Sequence, residues 1–399
     1  MKNKPQEKLY QSDIDSNTIF DRIIKYVNSK YRIRFNTISL DYEINIIGHS
    51  DWESLNINSL LIELTRNNID TNYNKLETLL KSNLIERYHP IKEYLLELPK
   101  WDNQVDYIKH LASFVTTNDN EAFIYHLKKW FARAVICACE KDKINKHCLV
   151  LANGEQHAGK STFLQKFIPK KLSNYIAEDL GTDKDSRIKM CKNLIINLEE
   201  LSVIGKTEVN YLKSLISKVF INERLPYERR AENLPRICSF VGSTNKAEFL
   251  TDSTGSVRWI VFDVIGRLNF NYSKEVNIDN VWSQAYYLAY HDKNFEPELT
   301  QQDVIDNEKR NEKYTSLTTE QEIILKYFDV TDDIAYFHNA SDIIQKLMPL
   351  GLKLSQENIG RALTGYKFTR IKHPKRQVYG FLAKPKFDVS PKELMNKEL

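Results

Sequence analysis

Residues 148 to 167 impose the tightest constraint on how this chain can fold. Cys148-Leu149-Val150-Leu151-Ala152 is an unbroken apolar run of strand length, and Gly154-Glu155-Gln156-His157-Ala158-Gly159-Lys160-Ser161 follows at once. From Ser161 to Phe167 the apolar spacing turns helical. A buried strand, a glycine-bearing loop and a helix start therefore occupy twenty residues. In this pattern the two glycines let backbone N–H groups wrap phosphates, the lysine reaches the outer phosphates and the hydroxyl ligates a divalent metal. Gly154, Gly159, Lys160, Ser161 and the adjoining Thr162 are accordingly expected to hold ATP and Mg²⁺. The following helix start favours anions, because its first N–H groups have no intrahelical acceptor.

A phosphate loop needs carboxylates from a second strand, one for the metal and one for the attacking water. Leu194-Ile195-Ile196-Asn197-Leu198-Glu199-Glu200 has that form, with Glu199 expected at the metal and Glu200 at the water. An exposed acidic pair after a core strand is the alternative reading. A third buried strand, Ile237 to Val241, runs into Gly242-Ser243-Thr244-Asn245, and the Asn245 amide can report on the outer phosphate or the water. Two arginine-bearing loops flank that strand: Glu223 to Arg230 before it and Thr254-Gly255-Ser256-Val257-Arg258 after it. Arg258 is the candidate for stabilising charge in a neighbouring subunit's phosphoryl transfer. Arg229 and Arg230 are candidate nucleic-acid contacts, although short basic runs, Arg224 and Arg236 included, are equally read as surface charge.

Around this core the chain divides into five regions. Residues 1–85 read as a small α/β region, with a helix near Ile19 to Tyr31, a strand from Thr37 to Ile46 and a helix from Leu55 to Ile69. Residues 86–146 read as helical, 147–265 as the phosphate-loop core and 266–315 as a charged helical connector. Residues 316–390 form the last unit. At 399 residues and 42% hydrophobic the chain can bury more than one core, and its apolar runs are too short to cross a bilayer. The opening MKNKPQEKLYQSD lacks an apolar core of signal-peptide length, so a cytoplasmic location without membrane contact is expected. The five cysteines show no paired spacing for zinc or a disulfide framework. A formal net charge of +4 means that any nucleic-acid surface must be local.

Such a local surface is visible at the C-terminal end. Segments 319–328, 340–348 and 355–364 read as helices, the last capped by Ser355, and two alternating strands flank the turn His373-Pro374-Lys375-Arg376-Gln377. Three helices followed by a hairpin is the order of a winged helix. Between Arg361 and Lys386 there are eight Lys or Arg and no Asp or Glu. Arg370, Lys372, Lys375 and Arg376 are the candidate phosphate contacts. A winged helix used for protein contacts, with a solvated basic face, is the alternative.

Taken in order, the phosphate loop, LIINLEEL, PYERR, PRICSFVGSTN and EFLTDSTGSVRW resemble the virulence-associated protein E family, which is similar to superfamily 3 helicases and primase-helicases of mobile elements. The similarity begins near His89-Pro90-Ile91, includes Trp101-Asp102 and runs to about Trp282 and Ala285. The resemblance implies an α/β fold: a phosphate-loop NTPase core of AAA+ type, with a helical region before it and a winged-helix domain after it. It also implies an ATPase that assembles into a homo-oligomeric ring, a hexamer, acting on single-stranded or origin DNA in replication of a phage, plasmid or genomic island. Lys160, Ser161, Glu199, Glu200 and Asn245 match the family's motifs, and Arg258 matches the second of two arginines after the T-G motif, the first being Val257 here. Relatives often carry a primase, and residues 1–85 are too short for one, so a separately encoded primase or replication protein is the expected partner. An ATP-gated DNA-binding adaptor, or a defence switch that does not unwind DNA, is the competing reading.

Overall fold

The computed structural model describes residues 18–154, 158–199, 201, 206–224, 231–245, 249–250, 256–315 and 317–386. Two compact units emerge, one formed by Met1–Ala247 with Thr254–Glu312 and the other by Glu248–Ser253 with Lys313–Leu399.

The first unit is mixed α/β around a five-stranded parallel sheet. In spatial order its strands are Trp259–Asp263, Cys148–Ala152, Ser239–Thr244, Ile195–Leu198 and Ile176–Glu178. The apolar run at 148–152 is buried at every position, as is Ser239–Thr244, which explains why neither strand shows polar alternation. Residues 259–263 form an edge strand that the sequence reading does not single out. Trp259-Ile260-Val261-Phe262 is another continuous buried run, and the residues read as a loop end in a short 3₁₀ turn, Ser256–Arg258, immediately before it.

The 20-residue helix Asn120–Cys139 packs on this sheet within one apolar core, and its central Trp130 is completely buried. The indole Nε1 donates to the Phe240 carbonyl at 2.9 Å, so an apolar anchor also satisfies a buried polar group. Trp282, in the helix Ile278–Tyr290, does the same for the Phe167 carbonyl at 2.8 Å and fixes the end of the loop's own helix. No helix among the described residues is long and apolar enough to cross a membrane.

The amino-terminal sheet departs from the sequence expectation. Instead of one strand from 37 to 46, Tyr31–Asn36 and Asp41–Ile46 pair antiparallel, with Tyr31 opposite Ile46. The side chain of Asn36 accepts from the N–H groups of Ile38 and Ser39, both at 3.0 Å, and Leu40 takes φ +63°, which together turn the chain. This sheet is fastened to the parallel one: Asn36 Nδ2 donates to the Tyr175 hydroxyl at 2.9 Å, Lys192 Nζ to the Ser39 carbonyl at 2.9 Å, and Ile38 joins the main core.

In the second unit the strand Tyr379–Pro385 pairs antiparallel with Phe328–Val330, Phe337–His338 and Arg370–Lys372. Helices Thr319–Tyr327, Ala340–Leu347 and Gln356–Gly365 close its core around Ile324, Ile343, Ile359 and Leu363. Gly380 is required where the strands cross, since a Cβ there would lie 2.5 Å from the Phe337 ring and 2.6 Å from the His338 carbonyl. Ser355 occupies the expected cap position, but its side chain makes no cap bond. The buried Glu320 braces this helix start from outside, accepting from Ser355 N at 3.4 Å and Asn358 Nδ2 at 3.2 Å.

Buried histidines make the first unit acid-sensitive. Burial, reinforced by the nearby Arg310, lowers the His126 pKa to about 4, and its Nδ1 has no partner among the described residues. An unfolded imidazole takes up its proton near pH 6.5, whereas the folded one resists until about 4. The contribution is therefore complete above pH 6.5 and is lost as pH falls from there to about 4, by roughly 3 kcal/mol in total. His126→Phe, which keeps a ring against Phe262, is expected to make the urea midpoint fall less steeply below pH 6.5 while changing it little at pH 8. Identical pH dependence in variant and parent would contradict this.

Candidate functional site

The carboxyl ends of the parallel strands bring the chemistry-bearing residues to one edge. Ala152 lies beside Thr244 on one side and beside Asp263 on the other, while Leu198 lies beside Gly242. Asn153 and Asn245, each one residue further on, consequently emerge at the same level, whereas Glu199 follows Leu198 and comes level with Ser243, two residues short of Asn245 on the same edge. The strand leading to Asn245 separates the loop strand from the strand leading to Glu199.

Lys160 is only 6% exposed, and its ammonium donates to Asn245 Oδ1 at 2.8 Å and to the Asn153 carbonyl at 3.3 Å. A buried ammonium held partly by neutral oxygens retains charge for an anion, which is the condition that a phosphate ligand needs. The Ser161 hydroxyl is 3.1 Å from that of Ser243, so it is oriented from the neighbouring strand. Glu199 is fixed at two atoms: its N–H donates to Asp179 Oδ1 at 3.0 Å, and its Oε1 accepts from Asn197 Nδ2 at 3.1 Å. The completely buried Asn197 leaves its own Oδ1 without a partner among the described residues. Lys160, Ser161 and Asn245 are thus brought together, with Glu199 two strands away from the loop strand on the same edge. Their chemistry, an ammonium, a hydroxyl, an amide and a carboxylate, fits a polyphosphate with a hard divalent cation. Gly154 and Thr162 sit within the described part of the loop and its helix, whereas residues 155–157 and Glu200 lie outside the described residues.

Sequence reasoning misses the strap that follows the edge strand. Val264 N donates to Ala152 O at 2.7 Å, Asn153 Nδ2 to Gly266 O at 3.0 Å and Leu268 N to Ala158 O at 3.1 Å, so residues 264–268 are bonded to both ends of the loop. Gly159 sits at φ +90°, and a Cβ built there would meet the Phe270 ring at 2.5 Å. Two constraints therefore select glycine, the left-handed backbone and the ring against it. No local signal marks Phe270, because it lies more than a hundred residues beyond the loop.

Other expected residues lie apart from this edge. Arg258 precedes the edge strand, and the next residue, Trp259, pairs with Cys148 at the opposite, amino end of the sheet. Four residue steps separate Cys148 from Ala152, about 13 Å of strand, so Arg258 is remote from its own loop. Its Nε donates to Ser217 Oγ at 2.8 Å. Arg236, for which surface charge is one reading, is instead completely buried, and its guanidinium donates to the carbonyls of Lys218, Cys238 and Asn145 at 2.8, 2.8 and 3.1 Å. It is a strut. Arg224 is exposed, and Arg229 and Arg230 lie outside the described residues.

In the second unit, Arg370 and Lys372 share one exposed side of their strand. Lys375 and Arg376 occupy the turn, where both N–H groups donate to His373 Nδ1 at 3.2 and 3.1 Å. Among the described residues the Arg376 side chain makes only a long contact of 3.8 Å, with Asp342.

A model of the virulence-associated protein E-like domain matches residues 95–316, more than half of the chain. The chain belongs to the virulence-associated protein E-like family. Two solved apo structures of the NrS-1 C-terminal region are similar to this family member. They show TM-scores of 0.53 and 0.52 at 13% identity, covering 93% and 91% of this chain and 99% and 98% of theirs. At that identity the likeness extends to the fold alone. No curated protein matches the chain.

The close fit at Gly159 makes a quantitative expectation. Gly159→Ala adds a backbone cost of about 1–2 kcal/mol for the left-handed conformation, and a steric cost against Phe270 on top of it. Combining it with Phe270→Ala removes only the steric part. Urea unfolding of the four variants should therefore give a double-mutant cycle with favourable coupling, and simple additivity would contradict the contact.

Proposed function

We propose that this protein is an ATP-hydrolysing, DNA-stimulated motor of helicase type, built on a phosphate-loop core with a winged-helix unit, that acts in replication of a mobile element. The observation that carries this reading is the convergence of Lys160, Asn245 and the Ser161–Ser243 hydroxyl pair at the carboxyl edge of a parallel sheet. Phosphate loops serve many activities, so the loop alone would not select a motor. The intervening strand narrows the choice, because Asn245 can sense the outer phosphate from beside the lysine that binds it.

In this reading Lys160 leaves Asn245 to meet the outer phosphates, and Asn245 is then free to hold the phosphate or the attacking water. Ser161 and Glu199 would hold Mg²⁺, with Asn197 orienting the carboxylate and Asp179 the Glu199 backbone, and Glu200 would align the water. When bound, the metal supplies charge neutralisation on the outer phosphates. Gly154, Gly159 and Thr162 complete the cradle. Arg258, remote from its own loop, is assigned in this reading to the site of the next subunit, in a ring in which each nucleotide is shared. The DNA contacts are Arg370, Lys372, Lys375 and Arg376, with Arg229 and Arg230 as further candidates.

Lys160→Ala should reduce DNA-stimulated ATP hydrolysis by on the order of a hundredfold or more. Arg258→Ala should lose hydrolysis while retaining ATP binding, and mixing it with Lys160→Ala subunits should restore part of the rate. Undiminished hydrolysis in Lys160→Ala would refute the site. Hydrolysis without strand displacement would favour a nucleotide-gated adaptor over a motor.

Replacing Arg370, Lys372, Lys375 and Arg376 together with alanine should weaken DNA binding and flatten the slope of log affinity against log salt by roughly 3 to 4. An unchanged slope would remove the hairpin from the DNA interface.

A further inference from the structure

We infer that Phe270 and Arg267 form the base-binding side of the nucleotide site, a shelf on which the purine stacks; this inference rests on the phosphate reading of the loop. It begins with direction. The groups suited to the outer phosphates, Asn245 and Glu199, belong to strands on one side of the loop strand, and the strand Trp259–Asp263 lies on the other. A nucleotide whose outer phosphates face Asn245 must extend its sugar and base the other way, towards the segment that leaves that edge strand.

Phe270 stands on that segment in an unusual state. Leu268 and Tyr272 on either side of it are 4% and 2% exposed and belong to the main core, whereas the Phe270 ring is 39% exposed. Ordinary packing therefore accounts for its neighbours but not for the open face of this ring. The ring bears on Gly159 next to Lys160, which places an aromatic surface beside the phosphate cradle. Hydrogen bonds of Asn153 to Gly266 and of Leu268 to Ala158 hold the segment just before it to the loop, so the shelf has a set position relative to the cradle.

Arg267 adds charge at the same place. Its guanidinium lies 5.3 Å from the centre of the Phe270 ring, and it makes no ion pair among the described residues. A planar cation against a ring can extend the stacking surface and reach the inner phosphate. Base stacking on an aromatic face is tolerant of base identity, so the shelf should strengthen binding of purine nucleotides without choosing strongly between adenine and guanine.

The test separates base contact from support of the loop. Affinities of the full chain for ATP, GTP and inorganic tripolyphosphate are measured by competition against a fluorescent ATP analogue. Phe270→Ala should weaken ATP and GTP about tenfold and leave tripolyphosphate unchanged, and Phe270→Trp should restore ATP affinity. Arg267→Ala should weaken ATP more than tripolyphosphate. Equal loss for ATP and tripolyphosphate in Phe270→Ala would mean that the ring only props the loop, and no loss for ATP would mean that it does not meet the base. Either result overturns the shelf and leaves the phosphate reading standing. Full ATP affinity in Lys160→Ala would instead overturn the phosphate reading, and the shelf with it.

Discussion

The burial of Cys148–Ala152 between two parallel neighbours is the constraint on which the rest of the first unit depends. With both edges paired and both faces covered, this strand can release its backbone from the ladder only at its ends. The glycine-bearing loop leaves at the carboxyl end, where the neighbouring strands deliver Asn245 and the strap that carries Phe270. A polar group on any of these strands is pinned in height by the hydrogen-bond register. That is why an asparagine eighty-five residues away in sequence meets Lys160 at 2.8 Å.

The amino end of the same sheet is held by polar groups that would be costly if left unpaired. Arg133 Nε donates to Asn145 Oδ1 at 3.1 Å, Asn145 Nδ2 reaches Ser239 Oγ at 3.2 Å, and Arg236 clamps the carbonyls of Asn145 and Cys238. This network joins the long helix, the segment before the loop strand and the chain entering the Asn245 strand. Removing one member would strand buried donors or acceptors, an effect of several kcal/mol for a charged group. The two ends of the sheet thus differ: a charged hydrogen-bond network closes one, with Arg133 Nη2 alone of its guanidinium left unpartnered among the described residues, and at the other Lys160 reaches the Asn245 and Asn153 oxygens.

Much of this was legible in the residues. An unbroken apolar run at 148–152 and largely apolar runs at 194–198 and 237–241 announced buried strands, and the helical spacing read near 19–31 and over 340–348 matches the buried faces of Ile19–Lys30 and Ala340–Leu347. The hairpin at 31–46 was harder to read, because its turn depends on one Asn36 side chain binding two N–H groups. Arg236 was unreadable as a strut, since an arginine between apolar residues looks the same whether its guanidinium meets water or three carbonyls. Phe270 carried no signal at all, for an aromatic near buried leucine and tyrosine reads as core.

By itself, then, the sequence determined the local chemistry: a strand-loop-helix with Lys160 and Ser161 at its turn, strands ending in Asn245 and Glu199, and a basic hairpin near the carboxyl end. Such features follow from side-chain periodicity and from glycine's backbone freedom, which act over a few residues. Strand order belonged to the tertiary structure alone, and with it the Ser161–Ser243 contact, the remoteness of Arg258 from its own loop and the placement of Phe270 against Gly159. Pairing partners of a buried strand are chosen by packing across long stretches of chain, and no short-range pattern encodes that choice.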